Sequence, residues 1–443
     1  MRAREDQRPV RAEVSAPAGP AAATDRAGDR AGGQATGSVD GPLAASARPL
    51  AERFDVALLD LDGVVYRGDA VVPRAAESLA AARATGLRLE FVTNNALRPP
   101  AAVAERLTRM GVPARAEEVA TSAQAAATMA AARLAPGAPV LVLGGAGLRE
   151  AIEAVGLRPV ASAGPPGPPG SGASGSSVSG SSASDPAGPG SAGAGSAGAG
   201  GPEPAAPAAV VQGFDPTIDY ARLAEAALAI RAGALWIASN TDATVPTERG
   251  LAPGNGSLVA ALRTATGQEP QVAGKPERAL HAESIRRGGA HSPLVVGDRL
   301  DTDIESANRH GTPGMLVFTG VTTPSDLLIA PPLWRPTFLA RDLAGLLAGA
   351  PAARTDGPAI EVGEWRCVVD DGTLRWQPSR RRPTGSDGAG SDGAGPDGGG
   401  LADDGLDALR AACLAAWRAA DSGQPVRALA ADRPEAVADL TLG

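Results

Sequence analysis

The stretch FDVALLDLDGVVYRG, residues 54–68, ends an apolar run with two aspartates, Asp60 and Asp62, followed at once by Gly63. A short apolar run bounded by such residues is typical of a buried strand. Two carboxylates at its tip repel each other, and a cation between them removes that conflict. An oxygen-rich site with few protein ligands and room for water suits Mg²⁺. Taken alone, the pair is equally consistent with a turn, because Asp-Gly is a turn signal.

Strand-like and helix-like segments alternate on both sides of this stretch. Among the apolar runs are LRLEFVTNN (87–95), PVLVLGG (139–145) and PLVVGD (293–298). This alternation predicts an α/β fold with a doubly wound parallel sheet. Ligands bind at the carboxyl ends of the strands in such sheets. Asp60, Thr93 and Asp298 each lie at a predicted strand end, so we expect one pocket to collect them.

The chain contains 41 basic residues, and Lys275, in VAGKPERAL (272–280), is the one lysine among them. The bias is consistent with a GC-rich genome that encodes Arg wherever a positive charge suffices. The lone lysine is then either chance or a position where a compact ammonium is needed and a planar guanidinium does not fit. Thr93 and Asn94 taken alone are more typical of a turn or a helix cap.

The acids support one chemical interpretation. Asp60 attacks a phosphoryl group and forms an aspartyl-phosphate, a known form of covalent catalysis by carboxylates. Asp62 protonates the leaving alkoxide and then activates the hydrolytic water. Mg²⁺ is held by Asp60, the backbone carbonyl of Asp62 and Asp298, and neutralises the nucleophile and the phosphate together.

The remaining polar residues complete this interpretation. Thr93 Oγ, a backbone N–H near Asn94 and the Lys275 ammonium bind the phosphoryl oxygens, where charge is spread in the transition state. Asp303, five residues after Asp298 in GDRLDTD (297–303), supports these groups without contacting the substrate.

The motifs DLDGVVYRG, FVTNN, GKP and GDRLDTD together resemble the four signature motifs of the haloacid dehalogenase (HAD) superfamily, in the family's order. The resemblance covers residues 54–350 apart from an insertion. The second acid, Asp62, is similar to that of the phosphatase branch. One departure is Ala96, where the family often has a serine after TNN, which removes a hydroxyl from that loop.

The motif spacing resembles class IIA of this superfamily, the NagD-like and phosphoglycolate/glycerol-phosphate phosphatases. The 33 positions from Asp60 to Thr93 leave no room for a cap domain, whereas the 182 positions from Thr93 to Lys275 do. The resemblance therefore implies a HAD core with an inserted α/β cap of the C2 type. SNTDATVPTERGLAPGNG (239–256) resembles a segment of that subfamily, in which Asn240 and Asp242 are candidates for substrate contacts in the cap.

We expect five regions along the chain. They are a disordered tail over 1–52, a core over 53–120 and 254–350, a cap over 121–253 with a Gly/Ser/Pro-rich insertion over 161–209, and a C-terminal appendage over 351–443 with a linker over 378–400. In the appendage we expect a small hairpin within 360–377 and an amphipathic helix over 401–420. Packing or oligomerisation is its expected role.

Composition excludes several classes of protein. A net charge of −8 and a pI near 5.2 argue against a nucleic-acid binder, and we expect no membrane partner because no run of 18 apolar residues occurs. We find no apolar signal sequence and expect a cytoplasmic protein.

LVLGGAGLRE (141–150) resembles a dinucleotide fingerprint only weakly, and a strand–helix turn is favoured. His281, His291 and His310 are expected at the surface or at helix ends.

The main hypothesis is a Mg²⁺-dependent phosphatase acting on a small phosphorylated metabolite. The resemblance points to glycerol 3-phosphate, which is favoured, or to phosphoglycolate, a sugar phosphate or a nucleoside monophosphate. The alternative is a catalytically idle HAD-fold binding or regulatory module, against which the complete motif set argues. A phosphomutase is disfavoured, because those enzymes usually carry a cap between the first two motifs. The subfamily also suggests a homodimer through the cap.

Overall fold

The computed structural model describes residues 41–161, 206–247, 249–379 and 404–442. The predictions for residues 1–40, 162–205 and 380–400 lie outside the described residues. None of the described helices is long and apolar enough to cross a membrane.

The larger sheet is built from two separated parts of the chain. The first part contains, in chain order, α1 Leu50–Arg53, β1 Val56–Leu59, β2 Tyr66–Arg67, β3 Ala70–Val71, α2 Ala75–Ala84, β4 Arg88–Thr93, α3 Pro100–Arg109, β5 Val119–Thr121 and α4 Ser122–Ala131. Strands β2 and β3 form a short hairpin directly after β1. The first part therefore carries two of the predicted motifs.

A second α/β unit follows. Its elements are β6 Pro139–Leu143, α5 Ala146–Ala154, β7 Arg158–Val160, β8 Ala209–Gln212, α6 Tyr220–Arg231, β9 Leu235–Ala238, β10 Thr244–Thr247, β11 Gly250–Pro253, α7 Asn255–Thr266 and β12 Gln271–Val272. Five of these strands form a parallel sheet in the order β12-β9-β8-β6-β7, and β10 and β11 form a separate hairpin.

The chain then returns to the larger sheet. This part contains α8 Arg278–Gly288, β13 Pro293–Gly297, α9 Glu305–Arg309, β14 Gly314–Val317, α10 Pro324–Leu328 and β15 Phe338–Ala340. The larger sheet is parallel throughout, with the strand order β15-β14-β13-β1-β4-β5. The predicted doubly wound parallel sheet is confirmed.

Strand β1 lies in the middle of the larger sheet and is buried along its whole length. Its last residue, Leu59, pairs with Val296 on one side and with Phe91 on the other. Parallel central strands are covered on both faces, which is why they read as unbroken apolar runs. This register brings the residues after β1, β4 and β13 to one edge of the sheet.

The observed elements extend beyond the region boundaries expected from the sequence. Strand β12 pairs with β9, so the second unit continues to residue 272, past the expected limit of 253. A two-residue strand carries too little pattern to be recognised.

Residues 41–52 were expected to be disordered, yet Leu43 and Ala44 donate backbone hydrogen bonds to Pro336 and Thr337 at 3.0 and 2.8 Å. Backbone pairing of this kind leaves no trace in composition.

The C-terminal region forms a third sheet. Its elements are β16 Arg354–Asp356, β17 Ala359–Val362, β18 Trp365–Asp370, β19 Thr373–Pro378, α11 Asp407–Asp421 and β20 Ala428–Leu429, and the strands lie in that order. The expected hairpin is therefore part of a larger sheet.

Helix α11 is buried on nearly every side from Ala408 to Trp417, whereas an amphipathic helix was expected. It packs with its own sheet and with core residues such as Leu316, Leu327 and Leu339. A helix enclosed in this way needs no polar face, and its alanines permit close contact.

We predict that Leu409→Ala destabilises the protein by about 2–5 kcal/mol, because Leu409 is 2% exposed and its removal leaves a cavity. Leu228→Ala is the matched control: Leu228 is 59% exposed on α6, and the change should stay within about 0.5 kcal/mol. Urea unfolding measures both. Equal effects would contradict the buried position of α11.

Candidate active site

The ends of the central strands converge as the register requires. Asp60 directly follows β1 and Asp298 directly follows β13, and the Asp60 backbone N–H donates to Val296 O at 2.8 Å. Asp298 is fully buried, whereas Asp60 keeps a small exposed fraction. Thr93 ends β4. Three of the predicted residues thus lie at one edge of the sheet.

Lys275 lies between two of the predicted acids. Its ammonium donates to Asp60 Oδ1, to Asp303 Oδ1 at 2.7 Å and to the carbonyl of Val92 at 3.4 Å. The side chain is 8% exposed. Burial favours the neutral amine, but the Asp303 and Asp60 carboxylates outweigh it and hold the pKa of Lys275 above its usual value. Lys275 is therefore a charged ammonium in the site.

Asp60, Asp298 and Asp303 form a compact acidic cluster. One carboxylate oxygen from each lies within 4.8 Å of the others. Burial raises the pKa of Asp60 to about 8; Asp303 and Asp298 add to that rise, and Lys275 opposes it. Burial and the Asp303 charge likewise raise the pKa of Asp298 to about 6. The Lys275 ammonium therefore balances only part of the negative charge of the three carboxylates.

The cluster fits a divalent cation. Asp298 Oδ1 is buried and has no hydrogen-bond partner among the described residues. A buried carboxylate oxygen without a donor is destabilising unless a cation takes its place. The donors are all hard oxygens, as Mg²⁺ requires.

Two glycines allow backbone to approach Asp298 closely. Gly63 has φ +90°, and a Cβ there would lie 2.6 Å from Asp298 Oδ2; a Cβ on Gly320 would overlap the same carboxylate. The backbone N–H of Val321 donates to Asp298 Oδ2 at 2.7 Å. Sequence reasoning missed Gly320 and Val321. The glycine at position 320, shortly after a strand, was the one indication in the sequence. The Val321 N–H could not be recognised, because every residue except proline carries such a donor.

Asp62 differs from the other acids because it is exposed. Partial burial of its carboxyl still raises its pKa above the usual value, against the opposing charges of Arg106 and Arg67. A carboxyl of raised pKa keeps its proton more readily, which suits a general acid.

Asn94 joins the second unit to the core. Its side-chain carbonyl accepts from the Lys275 backbone N–H at 2.8 Å, and its amide donates to Lys275 O and to Asp242 Oδ1, both at 3.3 Å. Asn240 donates to the backbone carbonyl of Asn94 at 2.7 Å. Burial raises the pKa of Asp242 above its usual value. The Asn240 amide thus links the second unit to the core.

Thr93 has a local hydrogen bond: its Oγ1 accepts from the Asn95 N–H at 3.1 Å.

Asp303 contacts Lys275, and the role predicted for it is to support the groups that bind the substrate. Besides Lys275, it accepts from the Arg299 backbone N–H at 3.2 Å through its second oxygen. It is 1% exposed. Both oxygens therefore have donors within the protein, in contrast to Asp298.

The other sequence candidates have structural explanations. In LVLGGAGLRE, Gly145 and Gly147 lie at the turn from β6 to α5, where a Cβ on either would collide with Leu97 or Arg98. The favoured strand–helix turn is what the structure shows. His281 is buried and stacked on His310, with ring centroids 4.8 Å apart. It is the fourth residue of α8, so of the two expected positions it takes the helix end and not the surface. Burial lowers the pKa of His281 to about 4, with His310 acting in the same direction.

Known proteins resemble this chain over most of its length. The profile described as haloacid dehalogenase-like hydrolase matches residues 57–158, and one described as HAD-hydrolase-like matches residues 272–346. D-glycerol 3-phosphate phosphatase of Mycobacterium tuberculosis is 42% identical over 87% of this chain and 93% of its own length. The 5'-nucleotidase YutF of Bacillus subtilis is 35% identical over 60% of this chain and 87% of its own length.

A solved structure shows the same architecture. The crystal structure of a glycerol phosphate phosphatase from Mycobacterium tuberculosis, in complex with magnesium, aligns with a TM-score of 0.69 and 39% identity. The alignment covers 89% of this chain and 100% of that one.

We predict that Gly320→Ala weakens Mg²⁺ binding by about tenfold or more, because its methyl group would displace the Asp298 carboxylate. Gly41→Ala is the matched control, since a Cβ there meets nothing within 4 Å. Isothermal titration with Mg²⁺ measures both affinities. An unchanged affinity in Gly320→Ala would show that Asp298 has no part in cation binding.

Proposed function

The chain belongs to the haloacid dehalogenase-like hydrolases and is a phosphatase of small phosphomonoesters, and we propose that it works through a phosphorylated Asp60. The observation that carries this proposal is the arrangement of Lys275, which contacts Asp60 and Asp303 while Asp298 lies in the same acidic cluster. A nucleophile, a phosphate-binding cation and a metal site are thereby combined within a few ångströms.

Mg²⁺ is the cofactor for which this donor set is suited. Asp60 and Asp298 would hold it through side-chain oxygens, and Asp62 through its backbone carbonyl. Within the part of the chain that the structure describes, Asp298 Oδ1 is a buried oxygen without a hydrogen-bond partner. When bound, the ion supplies positive charge to the nucleophile and the phosphoryl oxygens.

In the first half-reaction, Asp60 forms a bond to phosphorus as the bond to the leaving oxygen breaks. Lys275, with Thr93 and the backbone near Asn94, binds the phosphoryl oxygens and stabilises their charge. Asp62 gives its proton to the leaving alkoxide, a role that its raised pKa favours. The product alcohol departs and Asp60 carries the phosphoryl group.

In the second half-reaction, water cleaves the aspartyl-phosphate. Asp62, now a carboxylate, takes a proton from the water as its oxygen bonds to phosphorus. The bond from phosphorus to Asp60 breaks, which releases inorganic phosphate and restores the carboxylate of Asp60. Atoms and charge therefore balance over one cycle without another reactant.

We propose that the second α/β unit acts as a cap over this site. The links from Asn240 and Asp242 to Asn94 support this role, since they connect the unit directly to the phosphate-binding loop. A cap of this kind admits small substrates and excludes water during the reaction. On the sequence alone, we also propose a cytoplasmic location and a homodimer formed through the cap.

Among small phosphomonoesters, we propose glycerol 3-phosphate as the substrate. Support comes from the Mycobacterium tuberculosis relative, whose match covers 87% of this chain. Residues 1–350 make up less than 87% of the 443-residue chain. The match must therefore include part of the C-terminal region, residues 351–443. Phosphoglycolate, a sugar phosphate and a nucleoside monophosphate are the competing substrates.

Phosphate release from glycerol 3-phosphate, 2-phosphoglycolate, glucose 6-phosphate and AMP, each with Mg²⁺, tests the proposal. We predict one preferred substrate, loss of activity with EDTA, and a loss of at least about a thousandfold in Asp60→Asn. Asp370→Asn, at the exposed end of β18, should keep full activity. A flat panel from folded protein would favour the idle binding module.

We further predict that Lys275→Arg lowers kcat/KM by about a hundredfold or more, because a guanidinium does not fit the buried position between Asp60 and Asp303. Circular dichroism checks that the variant is folded. Near-normal activity would mean that the site does not require a lysine at position 275 and that its occurrence there is a matter of chance.

A further inference from the structure

We propose that the C-terminal module, residues 351–379 and 404–442, sets the affinity of the active site for Mg²⁺. It does so by holding in place the metal-site loop, residues 319–323, which contacts Asp298. This inference rests on the proposed function, since it takes Asp298 as a metal ligand. The two family matches cover residues 57–158 and 272–346, so the module lies outside the matched hydrolase core.

The metal-site loop fixes Asp298 through its backbone. Val321 N donates to Asp298 Oδ2 at 2.7 Å, and Thr322 N donates to the backbone carbonyl of Asp298 at 3.2 Å. Gly320 lies so close that a side chain there would overlap the carboxylate. Displacement of this loop would therefore move or release the Asp298 carboxylate.

The loop is anchored at both of its ends. At its start, Thr319 Oγ1 donates to Gly63 O at 2.6 Å, next to the nucleophile segment. At its end, Thr323 is the N-cap of α10: its backbone N–H donates to Asp326 Oδ2 at 2.9 Å, and its Oγ1 accepts from Asp326 N at 3.3 Å. The position of the loop's second half thus depends on the position of α10.

Helix α10 is in turn held by the C-terminal module. Leu327 and Leu328 are 0% and 1% exposed and pack in one apolar cluster with α11. The indole N–H of Trp417 donates to Leu327 O at 3.1 Å, and Thr441 N donates to Ser325 Oγ at 2.9 Å. A helix of only five residues has little stability of its own, so these contacts fix its place.

A second contact secures the chain just beyond α10. Arg335, which is 8% exposed, donates to both carboxylate oxygens of Asp421 at 2.6 and 2.8 Å. Its guanidinium lies 5.3 Å from the centroid of the Trp417 ring. Bidentate pairs of this kind restrict geometry as well as adding energy. Helix α11 therefore holds the segment from α10 to Arg335 at two points.

The link to Mg²⁺ affinity follows from preorganisation. Val321 is 66% exposed, so burial of its own side chain does little to hold the loop. A mobile loop would have to be ordered each time the ion binds, and that entropy loss weakens binding. By ordering α10 in advance, the module keeps Asp298 in its ligating position.

Two buried tryptophans offer a matched pair of variants. In Trp417→Phe, the hydrogen bond from the Trp417 indole to α10 is lost, while that from Thr441 to Ser325 remains. In Trp376→Phe, an equivalent bond is lost within the module, from Trp376 Nε1 to Ala408 O at 3.0 Å. The two residues are 3% and 6% exposed, so the same substitution removes similar packing at each. Only the first variant alters the proposed link.

The experiment is isothermal titration of the full-length chain with Mg²⁺, together with the Tm of the metal-free protein. We expect both tryptophan variants to lower Tm, but only Trp417→Phe to weaken Mg²⁺ binding, by about three- to tenfold. If Trp417→Phe does not fold, Asp421→Asn tests the same segment, because Asp421 is largely exposed and its loss weakens only the Arg335 contact.

Asp298→Asn separates this inference from the proposed function. It should abolish measurable Mg²⁺ binding, and wild-type affinity in Asp298→Asn would refute the proposed metal site itself. If Asp298→Asn loses Mg²⁺ while Trp417→Phe, or Asp421→Asn in its place, binds as tightly as Trp376→Phe, the metal site stands and the role of the C-terminal module is overturned.

Discussion

The contact of the Lys275 ammonium with Asp60 and Asp303 is the interaction on which the rest of the site depends. Three carboxylates lie close together at the end of a buried sheet, where uncompensated charge is strongly destabilising. Lys275 satisfies Asp60 and Asp303, but Asp298 has a buried oxygen with no donor among the described residues. The parallel sheet thus brings together more negative charge than the Lys275 ammonium neutralises. Binding a divalent cation and then a phosphoryl group is the chemistry that this imbalance favours.

Two regions outside the core are connected to this arrangement through different residues. The second α/β unit ends at β12, and only two residues separate that strand from Lys275. Its Asp242 accepts a hydrogen bond from Asn94, which in turn holds the Lys275 backbone. The C-terminal module reaches Asp298 through α10 and the metal-site loop. Substrate access and metal affinity would therefore be governed by separate parts of the chain, one acting on Asn94 and Lys275 and the other on Asp298.

Features that depend on the pattern of side chains could be predicted from the sequence. Features that depend on backbone hydrogen bonds could not. Apolar runs that end in Asp60 and Asp298 identified the sheet and the edge at which the proposed site lies, because burial on both faces demands such runs. The Val321 N–H, the backbone pairing of Leu43 and Ala44, and the two-residue strand β12 depend on backbone groups that any residue carries. The burial of α11 and of His281 depends on neighbours distant in sequence. Lys275 was recognised because its rarity in this chain coincides with a chemical need.

The most direct test of the account is to trap the covalent intermediate. During turnover of glycerol 3-phosphate with Mg²⁺, borohydride would reduce an acyl phosphate to an alcohol, and peptide mass spectrometry would locate the change. The account predicts homoserine at position 60, only when substrate and Mg²⁺ are both present, and none in a sample without substrate. Active enzyme that yields homoserine at another aspartate, or unmodified Asp60 under conditions that trap a known aspartyl-phosphate enzyme, would contradict it.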